Sequence, residues 1–171
     1  MIKRLLLILV ILLQWSCIVT HRVEDMEHSK LVLPESENGQ SEFKFQSKLR
    51  KEKTRQWLRN YLGLPAKDDL VLSEVKLFPD IDYTFWISVN LSHDREKSIY
   101  LHEVFDADQE AETHEGPIKF FVSIWVTDAL GEDHLSNNSI FKEKVYQYLL
   151  EMEKEFEAFS EESPDHNFFN G

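Results

Sequence analysis

The chain has one cysteine, five glycines and five prolines among 171 residues, and each scarcity removes a class of structure. A single thiol excludes an intrachain disulfide and a tetrahedral thiolate metal site, so the fold must be held by its core. With so few glycines there is no phosphate-cradling loop of the usual kinds, and no Gly-x-Ser-x-Gly elbow is present. Positive charge is also scarce: 19 Lys and Arg face 31 Asp and Glu, a formal charge of −12. Nucleic acid is therefore not an expected partner, because binding phosphates draws on clustered cations in a positive field. The longest apolar run, Leu5 to Leu13, falls well short of the roughly twenty residues that a membrane-spanning helix needs.

Aromatic residues are plentiful. Twelve Phe, five Tyr and four Trp make up 12% of the chain, too many for a disordered acidic polymer, so a packed core is expected. The first seventeen residues read as an export signal: Lys3 and Arg4, the apolar run, then Gln14, Trp15, Ser16 and Cys17. A cysteine directly after an apolar core and a small residue resembles the cleavage site of bacterial lipoproteins. The match is relaxed, since Leu13 lies one place early and Trp15 is bulky. The resemblance implies that Cys17 carries lipid, and that the exported chain is anchored to a membrane of a bacterial envelope, with its domain in the periplasm or at the cell surface. Competing readings are ordinary cleavage without lipid, an uncleaved short anchor, and a cysteine placed by chance. Loss of Lys3 and Arg4 with the signal takes the formal charge to −14.

Residues 18–40 are polar, with Pro34 and Gly39 as breakers, and read as a flexible linker. Such a chain spans about 25 to 30 Å. Residues 41–162 form the expected single α+β domain, and 163–171 a loose tail in which Phe168 and Phe169 could dock. Within the domain, apolar spacing predicts a helix from Ser41 to Tyr61 or Leu62, ended by Gly63 and Pro65. Phe43, Phe45, Leu49, Trp57 and Tyr61 share its apolar arc, and Lys44, Lys48, Lys51, Arg55 and Arg59 form a basic stripe opposite.

Four strands are expected next. They are Leu70–Phe78; Asp82–Ser92, with Tyr83, Phe85, Ile87, Val89 and Leu91 alternating against polar neighbours and Trp86; Ser98–Phe105 after a polar turn at 92–97; and Ile118–Thr127. A long helix should begin near Asn138 or Ser139, with a seam of Phe141, Val145, Tyr148, Leu149, Met152, Phe156 and Phe159. Its outer side, with Glu143, Glu151, Glu153, Glu155 and Glu157, is acidic. Short links between strands favour a four-stranded antiparallel meander covered by the two helices, a two-layer α+β sandwich. This order is similar to that of cystatin-like folds, an analogy that carries no function.

No residue set spells out a reaction. The histidines at 21, 28, 93, 102, 114, 134 and 166 lack metal-ligand spacing and read as surface residues, and the loop Asp106 to Glu112 lacks the glycine and distal glutamate of a calcium site. Catalytic residues, metal and cofactor are thus all expected to be none. The features that suit binding are the outward row Phe121 and Trp125, joined by Trp86 where the strands are neighbours, and the basic stripe; the competing readings are a row covered by a helix or the tail and a stripe paired with the acidic side of the last helix. The favoured function is a membrane-tethered, non-catalytic binding or accessory protein acting on another protein. The alternative is an immunity or inhibitor protein against a basic toxin or enzyme, and a small hydrolase comes last. Asn90-Leu-Ser92 and Asn137-Asn-Ser139 also match the glycosylation triplet.

Overall fold

The computed structural model describes residues 17–23, 25–34, 39–65, 70–100 and 112–162, with Cys17 and Tyr100 as backbone only. The expected signal (1–16), acidic loop (106–111), strand end at 101–105 and tail (163–171) lie outside these residues. The described chain mixes helix and antiparallel sheet and closes on a long helix: β1 Cys17–His21, β2 Lys30–Val32, β3 Glu42–Ser47, α1 Lys51–Tyr61, β4 Ser73–Val75, β5 Phe85–Tyr100, β6 His114–Thr127 and α2 Lys142–Glu162. The sheet order is β1-β5-β6-β3-β2, with β4 also on β5. Six strands replace the expected four, and the first helix lies between β3 and β4.

The difference begins at Phe43-Lys44-Phe45. Alternation at period two fits a strand as well as the pair fits a helical arc. Phe43 and Phe45 are buried while Glu42, Lys44 and Gln46 are partly exposed. β3 runs antiparallel to β6, with Phe43 opposite Ile124 and Phe45 opposite Val122, so four apolar side chains share one face. At its end the Ser47 hydroxyl accepts from Leu49 N at 3.1 Å and meets Thr54 Oγ1 at 2.9 Å. Such local bonding stops the strand and joins it to the first turn of α1. The basic stripe is divided accordingly: Lys44 is on a strand, Lys48 in the turn, and Lys51, Arg55 and Arg59 on the helix.

Helix α1 ends where the sequence predicts. Gly63, at φ +67°, donates to Asn60 O at 3.2 Å, and Leu64 N donates to Arg59 O at 2.9 Å, the paired closure of a Schellman motif. The expected strand 70–78 shrinks to three residues because Leu70 and Leu72 both take positive φ, near 59° and 58°. The predicted turn at 92–97 is instead the middle of β5. Its charged residues reflect cross-strand pairing, described below, not a chain reversal.

The chain divides into two compact units: Met1–Glu24 with His93–Lys119, and Asp25–Ser92 with Phe120–Gly171. In the smaller, β1 pairs with β5 from Cys17 opposite Tyr100 to His21 opposite Lys97, so the stretch read as linker carries strand from its start. The register shifts between Val19 and His21, and Thr20 Oγ1 at the shift donates to Lys97 O at 3.1 Å. His21 Nε2 lies 2.9 Å from Asp94 Oδ2, and Arg95 pairs with Glu115. Gly116 packs over Glu96, whose Cβ would lie 3.4 Å from an added methyl.

In the larger unit, both helices and the inner face of the sheet share one hydrophobic core, from Phe43 and Phe45 through Phe85, Ile87, Val122 and Ile124 to Val145, Leu149, Met152 and Phe156. The expected seam of α2 is borne out in Val145, Leu149, Met152 and Phe156, all buried. The helix itself starts three residues after Ser139, whose side chain accepts from Phe141 N at 3.2 Å.

Replacing Phe156 with Ala should cost about 3 to 5 kcal/mol, read as a lower denaturant midpoint. Gly63→Ala should cost about 1 kcal/mol even though nothing lies within 4 Å of the added carbon, because positive φ penalises any Cβ.

Candidate functional site

Alternation in β5 and β6 sends Phe85, Ile87, Val122, Ile124 and Val126 into the core of the larger unit. Trp86, Phe121 and Trp125 therefore project from the other face, as the sequence predicts. Trp86 stands opposite Glu74 of β4, Lys44 opposite Ser123, and Gln46 opposite Phe121. The three aromatics do not share one environment. Trp86 and Trp125 are half-buried, while Phe121 is only 7% exposed. The Lys44 ammonium lies 5.4 Å from the Phe121 ring centroid, a favourable cation–π placement. Gln46, beside it across the ladder, accepts from Met26 N at 2.9 Å. Phe121 thus belongs to packing, which leaves the two tryptophans as the accessible part of the row.

The last helix keeps its acidic side. Glu143, Glu151, Glu155 and Glu157 are exposed, but Glu153 is half-buried. Its carboxyl is pushed above the usual range by burial first and by Glu157, against hydrogen bonds from Ser29 that favour ionisation. A concavity of about 310 Å3 lies here, lined by residues that include His28, Ser29, Tyr146, Glu153 and Lys154. On α1, Arg55 is held by Glu52 at 2.9 Å. Cys17 is the first residue of β1, distant in sequence from all of these.

The sequence gives no sign of a second polar array, at His134. Far from being a surface residue, His134 is 1% exposed, with Tyr83, Phe85 and Phe141 ringing it at centroid distances of 5.3 to 5.5 Å. Tyr83 OH donates to Asp128 Oδ2 at 2.9 Å, and His134 Nε2 lies 3.4 Å from the same hydroxyl. The phenol proton goes to Asp128, and the second ring nitrogen of His134, Nδ1, lies 3.0 Å from Ser139 Oγ.

Serine, imidazole, phenol and carboxylate in this order resemble a nucleophile–base relay, but Ser139 and His134 are both buried and Ser139 Oγ is already engaged by Phe141 N. A reacting carbonyl needs room beside the nucleophile. The array instead fixes the loop between β6 and α2. Histidine spacing contained no trace of it, because its members come from β5's approach, the loop and the helix start.

Burial acts to raise the Asp128 carboxyl, yet bonds from Glu132 N, Tyr83 OH and Leu130 N outweigh it and hold the group below its ordinary value. Burial first, then the bond to Asp128, pushes the Tyr83 phenol up to about 12. Among the described residues no group of three or more His, Cys, Asp or Glu is placed to hold a metal, and no helix is long and apolar enough to cross a membrane.

No family model, curated protein or solved structure matches this chain.

The Tyr83 shift fixes the sign of an alkaline effect. A raised phenol pKa stabilises the fold fully below its ordinary value of 10.0 and loses that contribution as pH climbs through about 12. Stability should therefore fall across this window. Tyr83→Phe should flatten part of the fall and delete the late-rising phenolate signal assigned to residue 83 in an ultraviolet or NMR titration.

Proposed function

We propose that this chain is a membrane-tethered binding or accessory protein of a bacterial cell envelope, exported, lipid-anchored through Cys17 and acting without catalysis on another protein. The observation that carries the reading is the division of labour in the larger unit's sheet. Helices fill one face, while Trp86, opposite Glu74, and Trp125 stand half-exposed on the other. In this reading the larger unit acts as two layers, with the sheet's outer side left for contact. Aromatics with a polar rim are the side chains that supply most binding energy in protein interfaces.

The tether rests on the sequence: a basic start, an apolar run and Cys17. Because Cys17 also heads β1, lipid on this residue would grip the folded chain directly, with no 23-residue spacer between. A second reading, an inhibitor of a basic toxin or enzyme, draws on the exposed glutamates of α2 and the charge of −12. The two readings differ in salt dependence, because steering by an acidic face weakens with ionic strength while aromatic burial does not.

Cys17→Ser should move the protein from the membrane fraction to the soluble fraction and abolish labelling by a fatty-acid probe; retention of both signals would remove the anchor. Trp86→Ala with Trp125→Ala should weaken capture of the native partner about 30-fold or more, as expected where two anchors are truncated. Unchanged capture would take the outer face out of the site. Loss of capture in high salt alone would favour the inhibitor reading.

A further inference from the structure

Two large aliphatic side chains in the loop between β6 and α2 stand almost wholly in solvent: Leu130 is 92% exposed and Ile140 91%. Single exposed leucines are common and need no account. These two differ because the backbone under each is fixed. Leu130 occupies a turn in which Gly131, at φ +79°, donates to Asp128 O at 3.1 Å. Asp128 Oδ1 accepts from both Leu130 N and Glu132 N, at 2.9 and 2.8 Å. Ile140 lies between Ser139, whose amide donates to Ser136 O, and Lys142, whose amide donates to Ser139 O, both at 3.3 Å. The anchors are the two ends of one array, since Asp128 and Ser139 are joined through Tyr83 and His134.

An ordered loop pays little entropy when it docks, and apolar tips held this way gain nothing for the isolated fold. Their surroundings select the partner's chemistry. Residues 128–144 hold four acids, Asp128, Glu132, Asp133 and Glu143, against two cations, Lys142 bonded to Asn137 and Lys144 to Asp80. Anionic lipid headgroups would be repelled by this rim. A second copy of a chain with net charge −12 would be repelled as well.

We propose that Leu130 and Ile140 are the paired apolar anchors of a protein-docking loop, and that they insert into an apolar recess with a cationic rim on a different protein. The inference rests on the reading of the chain as a non-catalytic binding protein, but it uses a surface separate from Trp86 and Trp125.

A photo-crosslinking residue placed in the full chain at 130, 140 or the exposed control positions Gln56 and Asn60, in the protein's own cells, tests it first. Positions 130 and 140 should yield one protein adduct that the controls do not, with Lys or Arg flanking the crosslinked apolar segment. That protein, once purified, is titrated with wild type, L130S/I140S and W86A/W125A at low and high salt. The expected result is a ten- to hundred-fold weaker Kd for L130S/I140S with an unchanged unfolding midpoint, since both side chains are exposed. A lipid adduct, a self-adduct, equal adducts at the controls, or an unchanged Kd for L130S/I140S would overturn the proposal. Loss of binding in W86A/W125A alone would sink this inference and keep the outer-face reading. Loss in L130S/I140S alone would keep the docking loop and discard that face, and no loss in either would discard both.

Discussion

Phe156 is the contact through which the elements of the larger unit meet. Its ring lies 5.6 Å from Phe45 of β3 and 5.1 Å from Trp57 of α1, both edge-on, and it sits on α2 one turn beyond buried Met152. A chain with one cysteine has no covalent substitute for such packing. Around this point the aromatics continue as a series: Trp57 stacks on Tyr61 at 4.9 Å, Tyr61 meets Tyr148 at a tilt, and Tyr148 meets Phe78 edge-on. Each large ring buries more area than an aliphatic residue and adds a directional preference, so few residues define the helix-on-sheet arrangement. The cost falls on the sheet's outer side, which must be finished with what the helices do not cover.

That finish explains what was legible in the residues. Period-two alternation in 85–92 and 118–127 identifies two long strands and places Trp86 and Trp125 correctly on the outer face. Gly63 and Pro65 mark the helix end, and the α2 seam is plain. Phe43 and Phe45 mislead because two residues two apart satisfy both a helical arc and a strand; only the partner strand, with Val122 and Ile124 opposite, decides. The run Ser92 to Lys97 misleads for an electrostatic reason. It has the composition of a turn, but Asp94 and Arg95 are answered by His21 and Glu115 on neighbouring strands, and such pairs lie far apart in sequence. Phe121 lies on the expected face but is buried, with Lys44 over its ring.

The His134 array shows the same limit more sharply. Asp128, His134 and Ser139 carry ordinary loop composition, and Tyr83 belongs to the edge of a strand pattern. Their meaning arises only when the fold brings the phenol to the carboxylate. A buried polar chain is expensive if any member lacks a partner, and here phenol, imidazole, hydroxyl and carboxylate each have one. The result is specificity of placement: one conformation of the loop satisfies all members, and alternatives leave a buried imidazole unpaired.

Fixing that loop has a consequence for where contacts can be made. A sheet face offers aromatic area but little relief, and its residues are constrained by alternation and by neighbours such as Lys44 over Phe121. A loop clamped at both ends can hold apolar side chains outward without letting them collapse back onto the protein. Leu130 and Ile140 have no period that would mark them in sequence, and in an unclamped loop their exposure would be a liability for aggregation. Held by backbone bonds on both sides in a chain of net charge −12, they combine rigidity with charge that deters like copies. Burial of polar atoms at His134 is thus tied to exposure of apolar atoms at the surface, and the same hydrogen-bond chain accounts for both.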